Sequence, residues 1–316
     1  MHWLRQCEHQ CSMSGNAIMA TSTKISASIQ VDCATCQARV DGLCEGYAPA
    51  DLRVLAGHKS GDRLVRAGQE LLSLGEPCDA IYNLVDGWVV LYNLLKDGRR
   101  QILHFALPGA VLGFHPAHGA MMTYGAQALT DAVVCVIPHK ALGPLSRQYP
   151  EIGLRLAWLM SRDSSLSFAH LTSIGRHSAR ERVAHLILEL FIRYRLQWPG
   201  HRIEEMHLPL TQEDIGDATG LTGIHVNRVL GDFKTDGILT FSYRRLSILD
   251  PDKLVDVAGI DPELLHSWIR RPTPEPGARD ESLGRVPAFS LTKGPRRRAG
   301  QCDTGSGLPV AARCRA

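Results

Sequence analysis

The first half of the chain alternates short apolar runs with turn-forming residues. Between residues 57 and 138, glycines recur every seven to twelve positions over much of the stretch and separate runs such as Ile81–Leu84 and Trp88–Leu91. Turn signals at that spacing are typical of a compact all-β sandwich or roll. Asp97-Gly98 lies between two of the runs and is a hairpin signal. The last strand of this unit is predicted over Ala132–Ile137.

The apolar spacing becomes helical after about Pro150. Neither Gly nor Pro interrupts Leu154–Ile174. A helix of that length suits an interdomain spine or a dimer seam, with packing inside its own subunit as the alternative. A second helix is predicted over Ala179–Trp198. The residues expected at the dimer contact are Leu156, Leu159, Met160, Leu166 and Leu171.

The stretch from Thr211 to Phe233 has the pattern of a helix-turn-helix. Thr211 is predicted to cap the first helix with Asp214 as its capping-box partner, and Gly220 suits the turn because glycine reaches positive φ easily. The N-terminal side of the second helix is where a recognition helix presents side chains to the major groove, arginine to guanine and asparagine to adenine. The residues predicted to contact DNA from this unit are Thr211, Thr222, Ile224, His225, Asn227 and Arg228.

Residues 237–249 follow the second helix and have the pattern of a small β-hairpin with a basic turn. We interpret the hairpin as a wing whose Arg244 and Arg245 contact DNA phosphates. A solvated turn is the alternative.

Composition adds limits to this picture. The 316 residues allow two domains, and 44% apolar content indicates a mostly globular chain. We find neither an apolar run long enough to span a membrane nor a signal peptide, so we expect a cytoplasmic protein with reduced cysteines. The net charge of +3 is no argument for DNA binding, because residues 270–316 contain ten Lys or Arg and four Asp or Glu. That segment alone accounts for the net positive charge of the chain.

Cysteines are clustered near the N-terminus. Cys33, Cys36 and Cys44 form a Cys-x2-Cys-x7-Cys pattern, and Cys135 lies on the predicted last strand of the roll. Thiolates are suitable ligands for iron–sulfur clusters and for zinc. A zinc knuckle and ordinary reduced thiols are the alternatives to a cluster. Cys78 is an alternative fourth ligand. The remaining cysteines receive no role: Cys7, Cys11, Cys302 and Cys314.

A β-roll, a long helix and a winged helix-turn-helix, in this order, resemble the CRP/FNR family of bacterial transcription regulators over roughly residues 33–260. The cysteine spacing is similar to that of its FNR branch, of the FnrL and FnrN type. The stretches that carry the resemblance are Gly68–Leu72, Asp86–Val89, Leu107–Phe114, Ser178–Ala184 and Leu210–Gly237.

The resemblance implies a 4Fe–4S cluster held by Cys33, Cys36, Cys44 and Cys135. It implies that the intact cluster supports a homodimer bound to a palindromic site in double-stranded DNA, and that oxygen degrades the cluster and releases the DNA. It also implies RNA polymerase as a partner, and neither enzymatic activity nor a membrane partner.

Two departures from the family pattern are informative. Cyclic-nucleotide-binding members carry a Gly-Glu-Leu turn and an Arg-Ser pair, whereas Gly113–Pro116 and Thr123–Ala126 contain no arginine; cAMP is therefore not expected. FNR proteins read DNA with Glu-x-x-Ser-Arg. Here Ile224, Asn227 and Arg228 stand at those positions, so the TTGAT-like half-site is not assured.

We therefore predict an α+β chain with an N-terminal β-roll (a cyclic-nucleotide-binding-like jelly roll), a long dimerisation helix and a C-terminal winged helix-turn-helix. The predicted divisions are a flexible tail (1–28), a cysteine cluster loop (29–48), the β-roll sensor (49–149), the dimerisation helix (150–177), the DNA-binding domain (178–271) and a disordered basic tail (272–316).

Three other functions stay open. A related regulator could sense nitric oxide, a haem ligand or thiol redox state. A metal-dependent enzyme built on a roll would need clustered ligands, but the candidate histidines form no His-x-His pair with a nearby Glu. An adaptor could bind protein through the same helix-turn-helix. The histidines considered for the enzyme are His104, His115, His118 and His139.

Overall fold

Two antiparallel sheets, a set of helices and a small third sheet make up the chain. The computed structural model describes residues 28–39, 41–115, 121–195 and 203–260. The strands are β1 (Ser28–Ile29), β2 (Gly61–Val65), β3 (Glu70–Leu72), β4 (Ala80–Asp86), β5 (Val89–Leu94), β6 (Arg100–Ala106), β7 (Val111–Leu112), β8 (Gly125–Ala128), β9 (Ala132–Pro138), β10 (Glu204–His207), β11 (Leu239–Ser242) and β12 (Arg245–Ile248). The helices are α1 (Pro49–His58), α2 (His139–Gln148), α3 (Pro150–Arg176), α4 (Ala179–Arg195), α5 (Gln212–Thr219), α6 (Gly223–Thr235) and α7 (Pro251–Ala258).

The first two sheets form the predicted roll. Their strand orders are β1-β2-β9-β4-β7 and β3-β8-β5-β6, with antiparallel pairing throughout. The hairpin predicted at Asp97-Gly98 joins β5 to β6, and Gly98 has φ +86° there. Cys135 lies on β9, where Asp62 of β2 and Asn83 of β4 are its cross-strand neighbours. The jelly-roll part of the fold prediction is thus confirmed.

Three apolar cores hold these elements together. The first fills the interior of the roll and includes Leu84, Val89 and Val134. The second lies between the sheet that contains β4 and helices α1, α2 and α3. The third joins the outer side of β5 and β6 to α4 and to the whole helix-turn-helix, so Trp88 and Phe105 of the roll share a core with that unit. The roll and the helix-turn-helix are therefore packed against each other in this structure.

Helix α3 confirms the predicted long helix. It has 27 residues, which gives a length of about 40 Å. It begins in the second core, where Ile152, Leu156 and Leu159 are buried. Farther along, Leu166 is also buried. The helix therefore packs against its own roll along one side.

Several elements were not predicted from the sequence. Helices α1 and α2 lie within the stretch assigned to the all-β roll. Pro144 lies inside α2 and argues against a helix in a sequence pattern, yet Leu145 is buried against the second core. Helix α7 and strand β10 were also missed. The two predicted tails, residues 1–28 and 272–316, fall almost entirely outside the described residues, and the end assigned to the second helix at Trp198 does so as well.

Candidate DNA interface and cysteine site

Helix α5 begins with the capping box expected at Thr211. The Thr211 side chain accepts a hydrogen bond from the backbone N–H of Asp214 at 3.0 Å, and the Asp214 carboxylate accepts one from the backbone N–H of Thr211 at 2.9 Å. Two otherwise unpaired N–H groups at the start of the helix are thereby satisfied. The local sequence rule held here because both partners lie within one helical turn.

Two glycines permit the tight turn between α5 and α6. Gly220 has φ +69°, a left-handed conformation that glycine adopts without steric cost. A Cβ at Gly216 would lie 2.6 Å from the carbonyl oxygen of Leu221, so only glycine lets α5 approach the turn this closely. Thr222 then caps α6 by accepting a hydrogen bond from the N–H of His225 at 3.3 Å.

Helix α6 exposes the face that was assigned to DNA reading. Val226, Val229 and Leu230 are buried, whereas the intervening side chains face solvent. The exposed residues are Ile224, His225, Asn227 and Arg228, of which Ile224 is 79% exposed. Gln212, which the sequence did not single out, donates a hydrogen bond from Nε2 to Oδ1 of Asn227 at 3.1 Å. The first turn of α5 is therefore part of the same surface.

The hairpin of β11 and β12 ends in a strained two-residue turn. Tyr243 and Arg244 have φ values of 49° and 61°, and the left-handed region costs an ordinary residue about 1–2 kcal/mol. Positive φ at both central positions is the feature of the hairpin turns that match strand twist. Tyr243 is fully exposed, and Arg244 and Arg245 are exposed as well. The hairpin, with β10 as its third strand, presents a basic tip to solvent.

The cysteine loop, residues 29–48, lies against the second core of the chain. Cys33, Cys44 and Cys135 all pack against that core. Cys36 lies near Cys33, which helps to raise the pKa of Cys36, and near Cys44, whose pKa Cys36 helps to raise. Cys78 is different: its thiol is buried in the roll interior and donates a hydrogen bond to the carbonyl oxygen of Ala80 at 3.0 Å. The structure thus brings together the four cysteines of the first set and leaves Cys78 in another core.

Burial dominates the chemistry of these thiols. Burial, together with the nearby Cys36 and Cys33, raises the pKa of Cys44 to about 12. Burial likewise raises the pKa of Cys135 to about 12, against the opposing effect of Lys59. Buried thiolates need compensating positive charge, and bound metal is a source of it.

Positive side chains surround the cysteines and were not predicted. Lys59 donates hydrogen bonds to the Asp62 carboxylate at 2.8 Å and to the carbonyl oxygen of Val31 at 3.2 Å. Arg39 donates to the carbonyl oxygens of Ala34 at 2.7 Å and Tyr47 at 3.0 Å, which ties the two ends of the loop together. Single lysines and arginines carry no recognisable sequence signal for such roles.

The four cysteines have the donor chemistry of a metal or cluster site. Four soft thiol donors in one region suit thiolate-bound iron or zinc. Within the described residues, however, no group of three or more His, Cys, Asp or Glu is arranged to hold a metal ion. The cysteines therefore have the donor chemistry and the location expected of a metal or cluster site. The distances between them are not those of a formed coordination site.

The cysteine loop is ion-paired to α3 through what we call the arginine clamp, formed by Arg155 and Arg162 of α3 with Asp41 and Glu45 of the loop. Arg162 Nη1 donates to Asp41 Oδ2 at 2.7 Å, and Arg155 pairs with the Glu45 carboxylate. Arg155 is 2% exposed and also donates to the carbonyl oxygen of Gly42 at 2.9 Å. Both guanidinium groups lie over the Trp158 ring, at 4.4 and 5.3 Å from its centroid.

The residues predicted for the dimer contact differ in their exposure. Leu156, Leu159 and Leu166 are at most 7% exposed in the single subunit, because they pack on their own roll, and they therefore offer little surface to a partner. Met160 is half-buried and Leu171 is 68% exposed. The wide apolar stripe of α3 covers two faces of the helix. The spacing of apolar residues alone does not show which of these faces packs against the roll. The exposed positions of α3 at alternating intervals of three and four are Leu154, Ala157, Ser161, Ser164, Phe168 and Leu171.

Comparison with known proteins agrees with this geometry. The family model of the cyclic nucleotide-binding domain matches residues 62–149, and that of the Crp-like helix-turn-helix domain matches residues 181–257. The fumarate and nitrate reduction regulatory protein of Vibrio cholerae is 30% identical over 199 residues, which cover 63% of this chain and 79% of the relative. The chain belongs to the CRP/FNR family. It resembles the FNR-like branch of that family.

One further relative matches more of the chain, and a solved structure matches a similar share of it. The anaerobic regulatory protein of Aggregatibacter actinomycetemcomitans is 28% identical over 249 residues, covering 77% of this chain and 95% of the relative. The structure of FixK2 from Bradyrhizobium japonicum has a TM-score of 0.56 at 30% identity, covering 63% of this chain and 98% of that one. This CRP/FNR protein is accordingly a DNA-binding transcription regulator. None of the described helices is both long and apolar enough to cross a membrane.

The close approach at Gly216 gives a test of the helix-turn-helix geometry. Gly216→Ala should destabilise the protein by about 1–3 kcal/mol, because the added methyl group meets a backbone oxygen and overpacks the turn. Thermal unfolding measures the effect. Gly231→Ala is the matched control: it lies on α6 with open space around its Cα, and alanine is there expected to add about 0.5–1 kcal/mol of stability. Equal stability of the two variants would contradict the account.

Proposed function

We propose that this CRP/FNR regulator responds to oxygen through a 4Fe–4S cluster held by Cys33, Cys36, Cys44 and Cys135. The observation that carries the proposal is the proximity of these thiols: Cys33, Cys44 and Cys135 pack on one core, and Cys36 lies near Cys33 and Cys44. The loop that bears Cys33, Cys36 and Cys44 is ion-paired to α3. The relative named as an anaerobic regulatory protein supports a role linked to oxygen supply. We place the protein in the cytoplasm, where it would reach DNA.

Residues around the thiols suit a cluster with net negative charge. When bound, such a cluster would supply sensitivity to oxygen, because its iron–sulfur unit is oxygen-labile. Lys59 favours the thiolate forms of Cys44 and Cys135 electrostatically, and Arg39 favours that of Cys44. Leu43, which is 2% exposed, adds apolar shielding beside Cys44. Because the donors are not yet arranged as a finished set, the proposal requires the loop to close towards Cys135 on loading.

The arginine clamp would carry a change in the loop to the long helix. Asp41 and Glu45 flank Cys44 in the sequence, so movement of this cysteine displaces both carboxylates. Arg155 is buried and can lose its partners only at a high energetic cost. Movement of the loop is therefore expected to displace α3 or to strain it, which links the state of the cysteines to the helix.

The exposed face of α3 is the proposed homodimer seam. Its apolar residues Leu154, Phe168 and Leu171 are 71%, 68% and 68% exposed. Alternating spacing of three and four is the repeat of a two-stranded coiled coil, and the small residues between them permit close approach of two helices. Of the residues predicted from the sequence for the dimer contact, Met160 and Leu171 would lie at or beside this seam.

Two subunits would present two α6 helices to successive major grooves of a palindromic site. We assign base contacts to Asn227 and Arg228, with Ile224 and His225 beside them, because all four are exposed on one side of α6. Thr211 and Thr222 would place their helix N-termini near the DNA backbone, and Arg244 and Arg245 would contact phosphates from the wing. Ile224 and Asn227 in place of the usual glutamate and serine make an altered half-site the expectation.

Replacing single cysteines tests the proposed ligands. Anaerobically purified wild-type protein should contain about four iron and four sulfide per subunit. Ser at Cys33, Cys36, Cys44 or Cys135 should lower both contents sharply because a serine oxygen is a poor ligand for the cluster. Metal and sulfide analysis, together with the visible absorption spectrum, measures the result.

Cys78→Ser is the matched control, since Cys78 lies in a different core, and it should keep the wild-type iron content. Zinc in place of iron, or iron retained in the Cys135→Ser variant and lost in Cys78→Ser, would contradict the proposed ligand set.

Phe168→Asp tests the seam. Two aspartates facing each other in place of two phenylalanines should weaken the dimer by about 2 kcal/mol or more, as measured by sedimentation equilibrium under anaerobic conditions. Ile203→Asp is the control because Ile203 is 62% exposed but lies outside α3. The seam is misplaced if the two variants associate equally well.

A further inference from the structure

An arginine of the roll forms ion pairs with the first helix of the DNA-reading unit. Arg100, at the start of β6, donates from Nη2 to Asp214 Oδ1 at 2.6 Å and from Nε to Asp217 Oδ2 at 2.8 Å. Its third nitrogen, Nη1, lies 3.4 Å from Oε1 of Gln127 on β8. The guanidinium is therefore held by the roll on one side and by two carboxylates of α5 on the other.

Asp214 serves two structural purposes at once. One oxygen, Oδ2, accepts the hydrogen bonds of the capping box from Thr211, and the other, Oδ1, accepts from Arg100. The Asp214 side chain is 9% exposed and that of Arg100 is 24% exposed, so water screens this pair less than it screens a surface pair. The start of α5 is thus attached to the roll by the same carboxylate that begins the helix.

The other end of α5 is attached to two further helices. His170 of α3 donates from Nε2 to the carbonyl oxygen of Ala218 at 2.8 Å, and Arg182 of α4 donates to that of Thr219 at 3.2 Å. The last carbonyl groups of a helix lack partners inside it, and these two side chains supply them. Helix α5 is therefore held at both ends by elements that do not read DNA.

The position of α5 determines the position of α6. The glycine-dependent turn lets the two helices pack closely, and Gln212 of α5 is hydrogen-bonded to Asn227 of α6. A shift of α5 against the roll would therefore move α6 with it. In a dimer, the separation of two recognition helices must match one turn of DNA, about 34 Å.

We propose that Arg100 is a positioning residue for DNA reading: by holding Asp214 and Asp217, it sets where each subunit places its recognition helix and thus which separation of half-sites the dimer prefers. The inference rests on the proposed function, because it takes α6 as the DNA-contacting helix of a dimer. Arg100 itself does not touch DNA in this account.

The experiment measures the affinity of the full chain for duplexes that differ only in the separation of two inverted half-sites. The half-site is obtained by selection with the wild-type protein, and the separation is changed one base pair at a time. Wild-type protein should bind one separation best. Arg100→Ala should bind that duplex about tenfold more weakly and discriminate less against the neighbouring separations, because α5 is no longer held to the roll.

Asp217→Asn provides a second variant that leaves the capping box intact, and it should change the separation profile in the same direction. The double variant Arg100→Ala/Asp217→Asn should be no worse than Arg100→Ala, since both changes remove one contact. Arg100→Lys should restore part of the preference. Circular dichroism and binding to an unrelated duplex report on folding, which a positioning residue should leave unchanged.

Arg99→Ala is the matched control. It removes the same charge at the preceding position, where the side chain is 77% exposed and pairs with Asp97, so it should keep the wild-type separation profile. Arg228→Ala, titrated alongside, should lose specific binding at every separation; no effect there would mean that the proposed DNA interface is wrong. If Arg228→Ala does abolish specific binding, three results would overturn the inference about Arg100. They are a wild-type separation profile in Arg100→Ala, tighter DNA binding by Arg100→Ala, and a loss of affinity in Arg99→Ala as large as that in Arg100→Ala.

Discussion

The Arg155 guanidinium is buried on α3, and a buried charge is tolerated only where ion pairs and hydrogen bonds replace the lost water. Its partners come from one short segment, Asp41 to Glu45, which also contains Cys44. Arg162 adds a second ion pair to the same segment, and Trp158 stacks against both guanidinium groups. The position of the cysteine loop is therefore determined by α3, and any displacement of the loop must be accommodated by that helix.

The same helix contacts the DNA-reading unit. From its N-terminal half it holds the loop through the arginine clamp, and from its C-terminal half it reaches the end of α5 through His170. The roll reaches the start of α5 through Arg100. Helix α3 thus lies between the cysteines and α5, which is also held by the roll, while the face of α3 that bears Phe168 remains open for a second copy of the chain. This arrangement supplies physical contacts for each step of the proposed response.

Local rules explain what the sequence could predict. The capping box at Thr211 and the left-handed turn at Gly220 involve residues a few positions apart, so their structure follows from their own chemistry, and the register of α6 was correct. The dimer residues were less predictable, because α3 is apolar on two sides and the side that meets the roll depends on long-range packing. Arg100 and Arg155 act on partners more than one hundred positions away, and a single arginine carries no pattern that would reveal this.

The most direct test of the account is the self-association of wild-type protein, purified without oxygen and measured by sedimentation equilibrium before and after exposure to air. We expect a dimer that dissociates more readily after exposure, because loss of the cluster changes the loop that α3 holds. A dissociation constant that is the same before and after exposure, in protein shown to have lost its iron, would contradict it.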